Sequence, residues 1–195
     1  MVNFLKSRPL SWSAISSWEY SPEQWYKRYI LNEQEPPNAA MAFGKFVGEK
    51  LATDPTYLPQ VPRLPVAEQK LCVMFGKIPL VGYMDFYDPD THEMYEMKTG
   101  EKAWDRKRVE GHGQLDMYIL MLYVTYKLMP EDIKCKLIWL PTESHGDFSV
   151  TLVEPVVPQI FKTGRTMKDI LMFGARVNKV VKDMGEYVDK MVAKK

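Results

Sequence analysis

Apolar and polar positions recur along the chain with two different periods, and these periods predict its elements. From Ser11 to Ile30, apolar and aromatic residues fall at helical spacing in two short runs. Ser13 is placed to cap the first. Ser21 followed by Pro22 reads as an N-cap with proline at the first helical position, and Gln24 completes a capping-box pattern. Residues 32–38 (NEQEPPN) form a polar loop. Met41 to Ala52 predicts a helix with Phe43, Val47 and Leu51 on its apolar side, and the proline-rich stretch 53–65 predicts another loop. The period then shortens. Val66–Phe75, Pro79–Tyr87 and Glu93–Lys98 read as three strands, separated by turns at Phe75-Gly76-Lys77 and Asp88-Pro89-Asp90-Thr91. A helix is expected from about Arg106 to Leu128, ended by Pro130. Strands are expected at Lys134–Leu140 and Phe148–Val153. The last forty residues are expected to be helical, with Ile170, Leu171, Val177, Val180, Val181 and Val188 as the apolar stripe and a break at the glycines 164, 174 and 185. The order of helices, strand meander, helix, strands and helices predicts a mixed α/β fold with a central sheet.

Composition narrows the class. With 195 residues, 46% hydrophobic and 26% charged, the chain is a single globular domain rather than a disordered polymer. It divides into N-terminal helices (10–52), a core (66–153) and a basic C-terminal segment (158–195). Cys72 and Cys135 are the only cysteines, which excludes a disulfide scaffold or a zinc ribbon. The longest apolar run, Met117–Val124, is too short to span a membrane. The N-terminus lacks an apolar export core, so a cytoplasmic location is expected. The net charge is +1, but residues 160–195 carry nine Lys/Arg against four Asp/Glu. This basic tail suits sequence-independent contact with a nucleic-acid backbone. No phosphate-binding GxxxxGK[ST] loop is present, so ATP hydrolysis is not expected. The dense N-terminal aromatics Trp12, Trp18, Tyr20, Trp25, Tyr26 and Tyr29 suit a packed helical shell better than a base-stacking surface.

The chemistry centres on Asp85 and Glu96. Both lie the same distance from the turn at Asp90-Thr91, so a hairpin centred there sets them opposite one another, with Cβ atoms roughly 5 Å apart. Lys98, two residues beyond Glu96, projects from the same face. Two carboxylates that close repel unless a cation lies between them. Hard carboxylate oxygens with a lysine suit metal-assisted phosphodiester hydrolysis, and the Met97 carbonyl can join them. The same residues also suit a solvated face with a cross-strand ion pair. Gln114 and Tyr118, four apart, share one helix face.

Gly82-Tyr83-Met84-Asp85, then Glu96-Met97-Lys98-Thr99-Gly100, then Gln114-Leu115-Asp116-Met117-Tyr118 resemble the G-x-x-D, (D/E)-x-K-T-G and Q-x-x-x-Y motifs of RecB-type PD-(D/E)XK nucleases. Leu10-Ser11-Trp12-Ser13-Ala14-Ile15, with the later Tyr29-Ile30, resembles their N-terminal helical signature. Glu68 stands where an acid is common upstream of G-x-x-D. The resemblance covers about residues 10–153. It implies a restriction-endonuclease-like mixed β-sheet core flanked by helices, and a Mg²⁺- or Mn²⁺-dependent DNA exonuclease of recombination or repair. It implies catalytic roles for Asp85, Glu96 and Lys98, and metal binding by Asp85, Glu96, Met97 and Glu49. It implies DNA contacts by Gln114 and Tyr118, to which Lys102, Arg106 and Arg108 are candidate additions. DNA is the implied partner; a homo-oligomer or a recombination partner protein is compatible with it, and no membrane is involved. Two departures are visible. Gly48 replaces the metal-binding histidine of many RecB-type members, although Glu49 is retained. Ser21 stands near the position of an iron–sulfur cysteine and the C-terminal forty residues contain none, so a cluster is not expected and the compact phage enzymes are the better likeness. The alternatives are a DNA-binding or assembly subunit with weakened metal binding, a sequence-independent endonuclease, and a protein-interaction domain.

Overall fold

The structure is a computed structural model, and it describes residues 8–33, 35–146 and 149–193. Helix α1 (Trp12–Tyr20) is capped by Ser11, whose Oγ accepts from the Ala14 N–H, and not by Ser13. Helix α2 (Pro22–Tyr29) is capped by Ser21 as expected, its Oγ accepting from the Gln24 N–H. Helix α3 (Ala39–Thr53) begins two residues early because Asn38 caps it through the Met41 N–H. In the proline-rich loop that follows, the Arg63 guanidinium donates to the carbonyls of Leu51 and Tyr57, tying the loop to the end of α3.

Strands β1 (Val66–Phe75), β2 (Ile78–Asp88) and β3 (Glu93–Gly100) form the expected antiparallel meander. The predicted helix from 106 to 128 is two helices, α4 (Arg106–Glu110) and α5 (Gly113–Tyr126), with the break at Gly111-His112. Together they form the crossover that lets β4 (Lys134–His145) lie parallel to β3. Strand β5 (Ser149–Leu152) pairs with the last residues of β4; Phe148, predicted to begin it, lies outside the described residues.

The C-terminal segment is not wholly helical. Gln159–Thr163 forms β6, antiparallel to β4. Helix α6 (Met167–Val192) then runs unbroken through Gly174 and Gly185. Each glycine costs a helix about 1 kcal/mol relative to alanine, which is less than the burial of Ile170, Phe173, Val177, Val180, Val181 and Met184 returns. Leu171, predicted in that stripe, is exposed.

Successive side chains leave a strand on opposite faces, which gives the sheet two cores. Leu137 and Trp139 enter the larger core with α1, α2, α5 and α6, while Ile138 and Leu140 enter the smaller one with α3. Trp18, Trp25 and Tyr26 are buried in the larger core, so the N-terminal aromatics are mainly packing. Among the described residues no helix is long and apolar enough to cross a membrane.

Candidate active site

Alternation fails at one place in the sheet. In β2, Met84 belongs to the larger core and Phe86 to the smaller, although they are two residues apart. In β1, Leu71 and Ala67 are split in the same way. Between these residues stand Glu68, with φ 51°, and Asp85, which the register sets opposite each other and leaves unpaired. A non-glycine residue at positive φ is uncommon and marks a local distortion. The β2–β3 ladder ends one step away, at Phe86–Tyr95. Extending that register puts Asp85 opposite Glu96, as the hairpin arithmetic predicts, but the two strands separate there. The Asp85 carboxylate fills the gap and accepts from the Met97 N–H at 2.6 Å. A residue's N–H and C=O leave a strand on the same side, so the Met97 carbonyl faces the same opening.

Glu96 and Lys98 share a face, with the Lys98 Nζ donating to Glu96 Oε1 at 2.5 Å. The same ammonium donates to Gln114 Oε1 at 2.8 Å, and Gln114 Nε2 donates to the Tyr118 hydroxyl at 2.7 Å. That hydroxyl donates in turn to the Tyr83 carbonyl. A chain of hydrogen bonds thus runs from β2 through α5 to Lys98. Tyr118 is 3% exposed, so its place is beneath Gln114, holding it, rather than on a surface. Gly82 makes this possible, since a Cβ there would lie 2.7 Å from the Tyr118 ring.

Burial sets the electrostatics. It pushes the Asp85 pKa up to about 8, with the Glu96 charge adding to the effect. Burial also raises the Glu96 pKa, and Lys98 only partly offsets it. Burial would lower the Lys98 pKa, but the Glu96 and Asp85 carboxylates outweigh it and hold the amine above the usual lysine range. Lys98 is therefore an ammonium at neutral pH. Glu96 is 1% exposed, and its Oε2 has no hydrogen-bond partner among the described residues. A buried carboxylate oxygen left unpaired is costly, and Glu96 lines a cavity of about 560 Å³. Asp85, Met97, Lys98 and Gln114 line it on one side, and α3 residues Asn38 to Gly48 on the other. An orphaned oxygen beside a second carboxylate and a main-chain carbonyl is a hard donor set that fits a divalent cation.

Other candidates lie apart. Glu49 is 64% exposed and paired with Lys45 at 3.6 Å. Among the described residues no three His, Cys, Asp or Glu side chains are grouped closely enough to hold an ion, so Glu49 does not join Asp85 and Glu96 in a ready-made cage. Glu68 is the acid that a motif-based list omits: its pKa is raised by burial and by the Asp85 and Glu49 charges, which places it in their field. Its sign in the sequence was only its place before G-x-x-D. The Arg108 guanidinium stacks 3.9 Å from the centre of the Trp104 ring and donates to the Lys102 and Ala103 carbonyls, so it builds the loop after β3. Arg106 and Lys102 are exposed, Arg106 in a pair with Glu110. His112 is not solvated: it packs edge-on against Trp104 and Trp12, and burial with nearby Lys98 pushes its pKa down to about 3.

No family model matches the sequence, and no curated relative does. Solved structures do. LHK-Exo, determined in complex with dAMP, is 15% identical, with 99% of this chain and 96% of that one covered at a TM-score of 0.55. The alkaline exonuclease LHK-Exo from Laribacter hongkongensis gives 13% identity, 100% and 99% coverage and a TM-score of 0.53. A phage-related exonuclease from Haemophilus somnus gives 10%, 89% and 83%, and 0.53. The chain has the fold of these exonucleases, which is the fold that its resemblance to PD-(D/E)XK nucleases implies.

Proposed function

We propose that the protein is a divalent-metal-dependent DNA nuclease, acting as an exonuclease in recombination or repair. The observation that carries this reading is the buried, half-unpaired carboxylate of Glu96, set in an open cavity beside Asp85 and a protonated Lys98. Asp85, Glu96 and the Met97 carbonyl would hold Mg²⁺ or Mn²⁺, with Glu49, exposed on α3, a further candidate acting through water. A bound ion of this kind lowers the pKa of a coordinated water and polarises a phosphate oxygen. Lys98 supplies a fixed positive charge where negative charge develops on the phosphate. Gln114 orients that ammonium, and Tyr118 orients Gln114. Lys45 lines the cavity, and Lys102 and Arg106 are exposed cations that suit backbone contacts. Support also comes from the neighbours of like fold, which are exonucleases, one of them solved with a nucleotide.

A second reading has its own observation. Glu49 is exposed and paired with Lys45 rather than set beside Asp85 and Glu96, which favours weak metal binding, as in a subunit that binds DNA without cutting it. Cleavage of end-labelled linear and closed circular DNA with Mg²⁺, Mn²⁺ or EDTA separates these readings, with Asp85→Ala as control. Metal-dependent loss of linear DNA with circles spared is expected. Cut circles would make it an endonuclease, and binding without cleavage in either metal would favour the second reading.

A further inference from the structure

His112 is the N-cap residue of α5, yet its side chain makes no capping bond. The first turn of that helix still has to be held accurately, because Gln114 in it accepts from the Lys98 ammonium at 2.8 Å. The imidazole supplies part of the anchorage. It packs edge-on against Trp104, from the loop after β3, and against Trp12, from α1, at centroid distances of 5.0 and 6.1 Å. Trp12 also fills the space beside residue 113, where a Cβ would run into its ring, so glycine is required there.

Packing alone does not account for a histidine at this place. Its Nε2 is buried and has no hydrogen-bond partner among the described residues, and a buried polar atom left unpaired is costly. A phenylalanine would pack there without that cost. The side-chain amide of Gln114 is near enough to act on the ring. Lys98 has only hydrogens to give, so it fixes the Gln114 oxygen toward itself. The Gln114 nitrogen carries two hydrogens and gives one to the Tyr118 hydroxyl, which leaves the other to be taken up. A neutral imidazole offers a lone pair for it; an imidazolium offers none and would repel Lys98. Burial and the charges of Lys98, Arg165 and Arg108 keep the ring neutral. We propose that His112 is a positioning residue, whose uncharged imidazole is the acceptor that holds the Gln114 amide and so keeps the Lys98 ammonium aimed at the reacting phosphate. The contact with Gln114 rests on the geometry of α5; the role of Lys98 rests on the nuclease reading.

Two variants separate the nitrogen from the ring. His112→Phe keeps a ring against the two tryptophans and removes the acceptor. Its kcat on linear DNA in Mg²⁺ should fall about tenfold, the scale of one neutral hydrogen bond, with KM unchanged and Tm no lower than wild type. His112→Gln loses the ring but keeps an acceptor, so it should melt lower than His112→Phe and yet recover most of the lost kcat. If kcat instead follows Tm across the two variants, the ring is packing only and the proposal is overturned. A readout without turnover comes from the Gln114 side-chain amide in ¹⁵N-labelled protein, assigned by its loss in Gln114→Glu. Its two hydrogens should shift in His112→Phe and return toward their wild-type positions in His112→Gln. Unshifted resonances in His112→Phe would overturn the contact. If the wild type cuts no DNA, the nuclease reading fails, and the amide resonances still decide whether His112 holds Gln114.

Discussion

Asp85 carries an unfavourable charge in the metal-free fold, and this has a measurable sign. Burial, with the Glu96 charge, pushes its carboxyl from the ordinary carboxylate range up to about 8 in the fold. Between those values the folded chain binds the extra proton, so Asp85 favours the fold at low pH and that contribution is lost as pH rises through about 8. The Tm in EDTA should fall between pH 5 and 9, the fall should be smaller in Mg²⁺, and Asp85→Asn should flatten it. The same variant should melt a few degrees higher than wild type in EDTA and lose its response to Mg²⁺, since about 1 kcal/mol moves Tm by roughly 2–4 °C in a domain of this size. Lys98→Ala should lower cleavage by about 10²-fold or more and lower the Tm as well, because buried Glu96 loses its partner. A Lys98→Ala protein cutting at the wild-type rate would remove Lys98 from the chemistry.

At the scale of elements, the site depends on how closely helices approach the sheet. Gly82 admits the Tyr118 ring against β2, so Gly82→Ala should cost about 1–3 kcal/mol and also reduce kcat by displacing Gln114 from Lys98. Urea melts and steady-state rates read the two effects separately. The first turn of α5 is tied down by Asp116, which pairs with the buried guanidinium of Arg165 at the start of α6. Arg165 also donates to Thr163 Oγ1 and to the Val109 carbonyl, joining β6, α4 and α5. Arg165→Met would strand Asp116 and should cost about 3–5 kcal/mol in urea unfolding.

At the scale of the whole molecule, the cavity opens between the two cores, where α3 from one face and α5 from the other reach the parted strands β2 and β3. The exposed cations Lys45, Lys102 and Arg106 are spread over separate elements, Lys45 lining the cavity. Affinity for DNA, followed by fluorescence anisotropy in Ca²⁺, should fall steeply with salt. Replacing any one of the three should reduce the salt slope by about 1 if it meets a phosphate. An unchanged slope in all three variants would place the DNA elsewhere.

Local periodicity and turn chemistry were sufficient to predict β1, β2 and β3, the caps at Ser21 and the end of α5, because these depend on neighbours within a few residues. Asp85, Glu96 and Lys98 were legible for the same reason: hairpin register and strand alternation are short-range. What lay beyond the sequence came from long-range packing. Strand β6 forms because β4 offers it a partner edge, and its five residues carry too weak a pattern to be seen alone. Helix α6 passes through two glycines because the core on its buried face outweighs their cost. The parting of β2 from β3, the distortion at Glu68 and the approach of α3 through Gly44 are likewise contacts between distant segments. The sequence by itself determined which acids and which lysine share a strand pair; only the tertiary structure decided that Glu96 is buried with an unpaired oxygen and that Glu49 is exposed beside Lys45, because burial is a property of the whole packed chain.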